Sequence, residues 1–409
     1  MARFSTTTTE VSSAARWDPT YNCRKVSSTH DFRSTSHHEM QYKADSVGDT
    51  VTLPSGTMLS SILTNATNLG DDVFSEDGPT NALECYTADL TGMKHAMFTL
   101  TGTMGNQVSL RSLLKQPPYS VICDFRSHIF AHECGMTSMF SQAHLIPIMP
   151  DMTKRAYLVL EDIIPYIVPD DGDLHGSPTK VICIENTISG KVVPVQEITR
   201  ISQYAKERGI MVHMDGARLW NACYAPAEES LAPAAAAEAA TKLLRAYCAA
   251  VDTVTLCFSK SLGAPSGSIV LSNSSSFIDR ARHFRKALGG GLRQTGILAS
   301  PARVAIDETF LSGEHMRDAN AIAKRIEKIW IKLGGDIQIG LNQETNMVWL
   351  DLQKAGIKDQ DFVNAAKEEG VSVLDGRIVT HHQISLRAVD ALERVFIRVL
   401  AGKNTDAQL

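Results

Sequence analysis

The chain of 409 residues has no apolar run that approaches the roughly 18 residues of a membrane span, so no membrane partner is expected. Its eight cysteines are scattered without a single CxxC pair. That removes the ligand spacing of zinc sites, so no metal is expected, and it points to free thiols in a reducing compartment. There is no Lys/Arg cluster, and the net charge is −5, which argues against a nucleic-acid partner. Internal repeats are absent as well. Residues 1–30 are rich in Ser and Thr but lack the apolar stretch of a secretory signal. They read as a disordered tail on a cytoplasmic protein, with a mitochondrial presequence as the alternative.

What is present is an ordinary globular balance, 44% apolar and 21% charged, on a chain long enough for one large and one small domain. From about 80 to 300, helical patterns alternate with short apolar runs, as at 95–100, 119–124 and 180–185. Such alternation predicts βα units and an α/β fold with a mostly parallel sheet covered on both faces. Pro165 to Pro178 reads as a surface connection, and the alanine-rich stretch 225–250 as one or two extra helices. Beyond about 300 the pattern becomes α+β. Ser385 can cap a helix running through Leu400, with Gly402 as its stop.

The most informative peptide is Thr-Leu-Cys-Phe-Ser-Lys-Ser-Leu-Gly-Ala-Pro at 255–265. An apolar strand pattern delivers Ser259 and Lys260 to a Gly/Pro-broken loop, a context for an amine that attacks an aldehyde. A second strand pattern, 209–214, delivers Asp215 and then Arg218. Lysine plus strand-end aspartate is what pyridoxal 5'-phosphate needs: a Schiff base and a carboxylate on the pyridine nitrogen. Leu-Thr-Gly-Thr-Met-Gly-Asn at 100–106 opens a helical pattern. There Gly102 can let backbone approach an anion and Thr103 can add a hydroxyl, a phosphate cup. His128 follows another strand and can stack on a ring, with His132 and Glu133 one helical turn on. Asn186 can point toward the ring's phenolic oxygen. Arg218 and Arg377 are candidates to hold a substrate carboxylate bidentately. The segment 284–296, three glycines flanked by Arg285, Lys286 and Arg293, suggests backbone pressed on an anion or another subunit.

Taken together these segments resemble the threonine aldolase/β-eliminating lyase family of pyridoxal-phosphate enzymes, above all its fungal low-specificity L-threonine aldolases. The shared stretches include Gly-Asp-Asp-Val-Phe (70–74), Pro-Thr-Asn-Ala-Leu-Glu (79–84), His-Met-Asp-Gly-Ala-Arg (213–218) and Gly-Gly-Gly-Leu-Arg-Gln (289–294). The resemblance runs from about Asp49 to Leu400. It implies the PLP-dependent transferase-like fold (fold type I), with a seven-stranded, mostly parallel sheet in the large domain and a small C-terminal α+β domain. On that scheme the tail is 1–30, an N-terminal arm 31–62, the large domain 63–304, the small domain 305–402 and a short tail 403–409. It also implies Lys260 as the cofactor lysine, Asp215 on the pyridine nitrogen, His128 on the ring, and Gly102 and Thr103 at the phosphate. Ser259, Asn186 and Arg293 complete the expected cofactor set. Ser34, Arg218, Lys286 and Arg377 are expected to bind substrate, and a homotetramer is the expected assembly.

Two departures from the family pattern stand out. Ile188 occupies a position where bacterial members carry histidine, which leaves His132, His128 or a water as base. Asp31, Phe32, Arg33 and Ser34 are separated from Asp49, Thr50, Val51 and Thr52 by residues 35–48, an insert within a motif that is continuous in the family. The expected activity is cleavage of L-threonine or L-allo-threonine to glycine and an aldehyde. Racemisation of alanine, or inactivity caused by the insert, are the alternatives.

Overall fold

Aliphatic and β-branched runs bounded by Gly, Pro and Asp form strands that are buried over most of their length, as expected when helices cover both faces of a sheet. The computed structural model describes residues 51–227 and 230–401; Ser34 and the 35–48 insert lie outside these. Seven strands form the main sheet: β1 (His95–Thr99), β2 (Ser120–Asp124), β3 (His144–Ile148), β4 (Thr179–Glu185), β5 (Met211–Gly216), β6 (Thr253–Cys257) and β7 (Ser268–Ser272). Their order is β1-β7-β6-β5-β4-β2-β3. β7 pairs antiparallel with both of its neighbours, and the other pairs are parallel. Parallel pairing brings the ends of β2, β4, β5 and β6 to one edge of the sheet, where α/β folds bind ligands. β3 contains Pro147, which a strand tolerates at a sheet edge, and β3 is the outermost strand.

Two glycines set how closely the helix Gly102–Leu113 lies on the sheet. A Cβ on Gly102 would sit 2.6 Å from Cys257 Sγ, and one on Gly105 would sit 2.6 Å from Thr255 Cγ2. The sequence suggests an anion as the reason for Gly102; its own packing against β6 is reason enough.

The sheet's core includes Phe98, Trp220, Phe258 and Phe310, all buried, with the Trp220 and Phe310 rings 4.8 Å apart edge to face. A second core gathers residues 323–400 around Trp330, Phe362 and Phe396. It is framed by an antiparallel pair of strands, β8 (Met347–Trp349) and β9 (Arg377–Val379), and by the helices His315–Lys332, Asp359–Glu368 and Leu386–Ala401. Burying one such large side chain stabilises the fold by about 1.5–3 kcal/mol. The last helix buries Val389, Leu392, Phe396 and Leu400, and Ser385 Oγ accepts the Ala388 N–H at its start. In the alanine-rich stretch one helix forms, Pro233–Ala249, with Pro233 in its first turn, where a missing N–H costs nothing. No helix among the described residues is long and apolar enough to cross a membrane.

Candidate active site

Asp215 is the last residue but one of β5, in register with Glu185 of β4 on one side and Thr255 of β6 on the other. Three residues beyond β6 comes Lys260. Its backbone is pinned: the Lys260 carbonyl accepts from Thr52 Oγ1 at 3.0 Å and from Gly263 N–H at 2.9 Å. Gly263 has φ +83°, a left-handed turn that glycine adopts without strain. Lys260 and Asp215 both act electrostatically on His128 and Glu185, so amine, carboxyl and imidazole share one neighbourhood. The helix Gly102–Leu113 starts at the same edge. Thr101 Oγ1 accepts the Met104 N–H, and Gly102 and Thr103 form the first turn, whose N–H groups have no partner within the helix.

His128 opens a short helical turn, with its ring half-exposed. Its N–H donates to Glu185 Oε2 at 2.7 Å, and its Nδ1 lies 2.7 Å from Glu133 Oε1. The Glu133 hydrogen bond holds the imidazole above its ordinary pKa, against burial and Lys260, which pull it down. His132 is exposed, its ring 5.6 Å from that of His128 and tilted by 50°. Glu185 is pushed up to about 7, mainly by burial and then by the Asp215 carboxylate beside it.

The remaining expected residues divide. Arg218 follows β5 directly and lowers the pKa of Glu185 through its charge, so it belongs to the cluster. Arg377 opens β9; its guanidinium lies 5.8 Å from the Trp349 ring centroid. Trp349 in turn donates 2.9 Å to the Ser189 carbonyl, just beyond β4. Ser259 sits half-buried beside Lys260. Asn186 does not point outward as the sequence suggests: both ends of its amide bond the Val193 backbone, at 3.2 Å each. The anion that Arg285 meets is internal, Asp72 at 2.6 Å, while Lys286 is exposed and Arg293 lies 3.4 Å from Asp71. Ile188 is buried in the core.

Asn106, Gln107, Glu133 and His213 lie within or beside the expected motifs and carry buried polar contacts that the motifs do not announce. His213 is two residues before Asp215 on one strand and therefore on the same sheet face. Asn106 is four residues after Gly102, one helical turn on. Those two periodicities are the signals that point to them.

Residues 45–354 match the family described as Beta-eliminating lyase. The chain belongs to the beta-eliminating lyase family. Among members with assigned activities, it is 38% identical over 372 residues to a low-specificity L-threonine aldolase of Eremothecium gossypii, covering 91% of this chain and 88% of that protein. It is 39% identical over 375 residues to an alanine racemase of Cochliobolus carbonum, covering 89% and 90%. In three dimensions the chain resembles a threonine aldolase of Leishmania major, with a TM-score of 0.70 at 18% identity, over 87% of this chain and 98% of that one. It shares its fold, with a TM-score of 0.64 at 17% identity over 87% and 86%, with a serine palmitoyltransferase variant of S. paucimobilis solved with a bound pyridoxal phosphate–myriocin aldimine.

The beta-eliminating lyase site here fits that cofactor by its donor set. A primary amine and a buried carboxyl emerge from adjacent strands, a helix N-terminus lies at the same edge, and both the amine and the carboxyl act on a nearby imidazole.

Proposed function

We propose that this beta-eliminating lyase binds pyridoxal 5'-phosphate and cleaves L-threonine or L-allo-threonine to glycine and acetaldehyde. The observation that carries the reading is the placement of Lys260 and Asp215 at neighbouring strand ends, with His128 within their reach. Bound at this edge, the cofactor would supply an electron sink for the bond broken at Cα. Lys260 would hold it through its amine, Asp215 through the pyridine nitrogen, and Gly102, Thr103 and Ser259 through the phosphate.

The chain's own residues do the rest. Arg218 and Arg377 would fix the substrate carboxylate from the two cores, which sets the orientation of the Cα substituents. Because His128 Nδ1 is engaged by Glu133, Nε2 is the ring atom left to take the β-hydroxyl proton. The Cα–Cβ bond then breaks, the aldehyde leaves, and a proton delivered to Cα completes glycine. His132, exposed beside His128, is the alternative proton acceptor. A second reading, alanine racemisation, is favoured by the 39% identity to the racemase; it uses the same residues without a hydroxyl base.

Incubation of the holoenzyme with L-allo-threonine and, separately, with L-alanine, followed by chiral separation of the products, decides between them. Glycine and acetaldehyde are expected, with no D-alanine. Lys260→Ala is expected to abolish turnover together with the cofactor's absorbance band. D-alanine without glycine would assign the racemase instead.

A further inference from the structure

Asn106 sits where the two halves of the site meet. Its Nδ2 donates 2.7 Å to Asp215 Oδ2 and 2.9 Å to Glu133 Oε1. That Glu133 oxygen is the one facing His128 Nδ1, while Gln107 Nε2 donates 2.6 Å to the other. An amide nitrogen carries two N–H groups, and this one directs both at carboxyl oxygens. With Nδ2 so placed, Oδ1 faces His213 Nε2 at 3.2 Å, and His213 Nδ1 faces Thr253 Oγ1 at 2.8 Å. The amide oxygen can only accept, so Nε2 carries the His213 proton and Nδ1 accepts from the threonine hydroxyl. Asn106, Glu133, His213, Asp215 and Thr253 are all buried, so water does not compete for these bonds. Burial holds His213 down to about 4, which keeps the ring neutral with a single N–H at physiological pH.

We propose that Asn106 is a positioning residue that ties the Asp215 carboxyl to the Glu133–His128 pair as one unit, and that the His213 N–H anchors the amide oxygen from behind and so holds the tie in place. The contacts of the unit run between protein groups alone, so only its effect on cofactor binding rests on the function proposed above. Turned by half a rotation, the amide would aim its oxygen at two carboxyl groups and its NH₂ at His213 Nε2. Only the carboxyl face would then repel, so Asp215 and Glu133 fix the state of the amide, and His213 answers it with an Nε2–H because the Thr253 hydroxyl can donate to Nδ1.

The test uses the full chain without pyridoxal phosphate, carrying histidine labelled with ¹³C in the ring. The His128 signal is assigned by its loss in His128→Phe, and its titration is followed by NMR. The groups acting on that ring are Glu133, Asp215, Lys260 and the neighbouring His132, all unchanged in the variants. Asn106→Leu removes a donor from Glu133, leaving its charge to act more strongly on His128. The midpoint is expected to rise by about half a unit or more. His213→Leu is expected to shift it the same way, and His213→Gln, whose amide can donate to Asn106 Oδ1, to restore it. Unmoved midpoints in Asn106→Leu and His213→Leu overturn the proposal. A midpoint still shifted in His213→Gln overturns the role of His213. Should Asn106→Leu fail to fold by circular dichroism, the two His213 variants decide alone.

The dissociation constant for pyridoxal phosphate, read by fluorescence, is expected to rise about tenfold in Asn106→Leu as Asp215 loses its tether. A weakened cofactor with an unmoved His128 means a merely structural residue and overturns the tie. A shifted His128 with unchanged cofactor affinity leaves the tie standing and contradicts the cofactor role of Asp215.

Discussion

Glu185 shows how one half-buried carboxyl can work against the fold that holds it. Its ordinary value is near 4.5, and burial with Asp215 alongside lifts it to about 7. A carboxyl raised on folding leaves stability intact below its unfolded value and removes it as pH rises through the folded one. Between about pH 4.5 and 7 the chain therefore loses stability at this residue, by at most about 1.4 kcal/mol per pH unit. Glu185→Gln keeps an oxygen for the His128 N–H and removes the charge. Without cofactor, it is expected to melt above the wild type at pH 8 and level with it at pH 4.5. Equal melting at both values would show that Glu185 carries no such penalty. His213 has the opposite sign, since its lowered value costs stability as pH falls from about 6.5 toward about 4. His128, raised by Glu133, adds stability at low pH that is lost as pH climbs through its elevated value.

At the scale of elements, the close contact of the helix Gly102–Leu113 with β6 decides where the first-turn N–H groups sit. Gly102→Ala would drive its methyl into Cys257 Sγ. A loss of about 1–3 kcal/mol is expected in denaturant unfolding. Cys257→Ala in the same chain should recover much of it, because the obstructing sulfur is gone. A Gly102→Ala chain as stable as the wild type would show that the helix is free to move. The strands were legible in sequence because Val254, Leu256 and Phe258, like Val181 and Ile182, form apolar runs ended by a polar residue. Lys260 and Asp215 were legible for the same reason, as strand-end residues. The hydrogen bonds of Asn186 were not, since Val193 lies seven residues on and nothing local marks that pairing. Likewise Arg285 meets Asp72 across 213 positions, so the sequence offers the charge but not its partner. The Asn106 network needs four separate segments to converge, the helix Gly102–Leu113, the segment 128–133, β5 and β6, and the order of the sheet brings them together.

At the scale of the whole molecule, the second core bears on the site through a few specific contacts. Trp349 reaches Ser189, Asn346 Nδ2 approaches Ser261 Oγ at 3.4 Å, and Gln383 bonds the Leu53 backbone. The first two contacts attach the β8–β9 pair, with Arg377 on it, to the loops that follow β4 and β6, and the third attaches the segment after β9 to the N-terminal part of the chain. Arg377→Gln is accordingly expected to raise KM for the amino acid about tenfold or more, with cofactor affinity changed less than about twofold. An unchanged KM would place the substrate carboxylate elsewhere. The most direct test of the central claim is chemical. Reducing the holoenzyme with borohydride fixes the cofactor to whichever amine holds it, and digestion with mass spectrometry locates that residue. The cofactor's mass is predicted on the peptide containing Lys260. Its appearance on another lysine, or on none, would contradict the account.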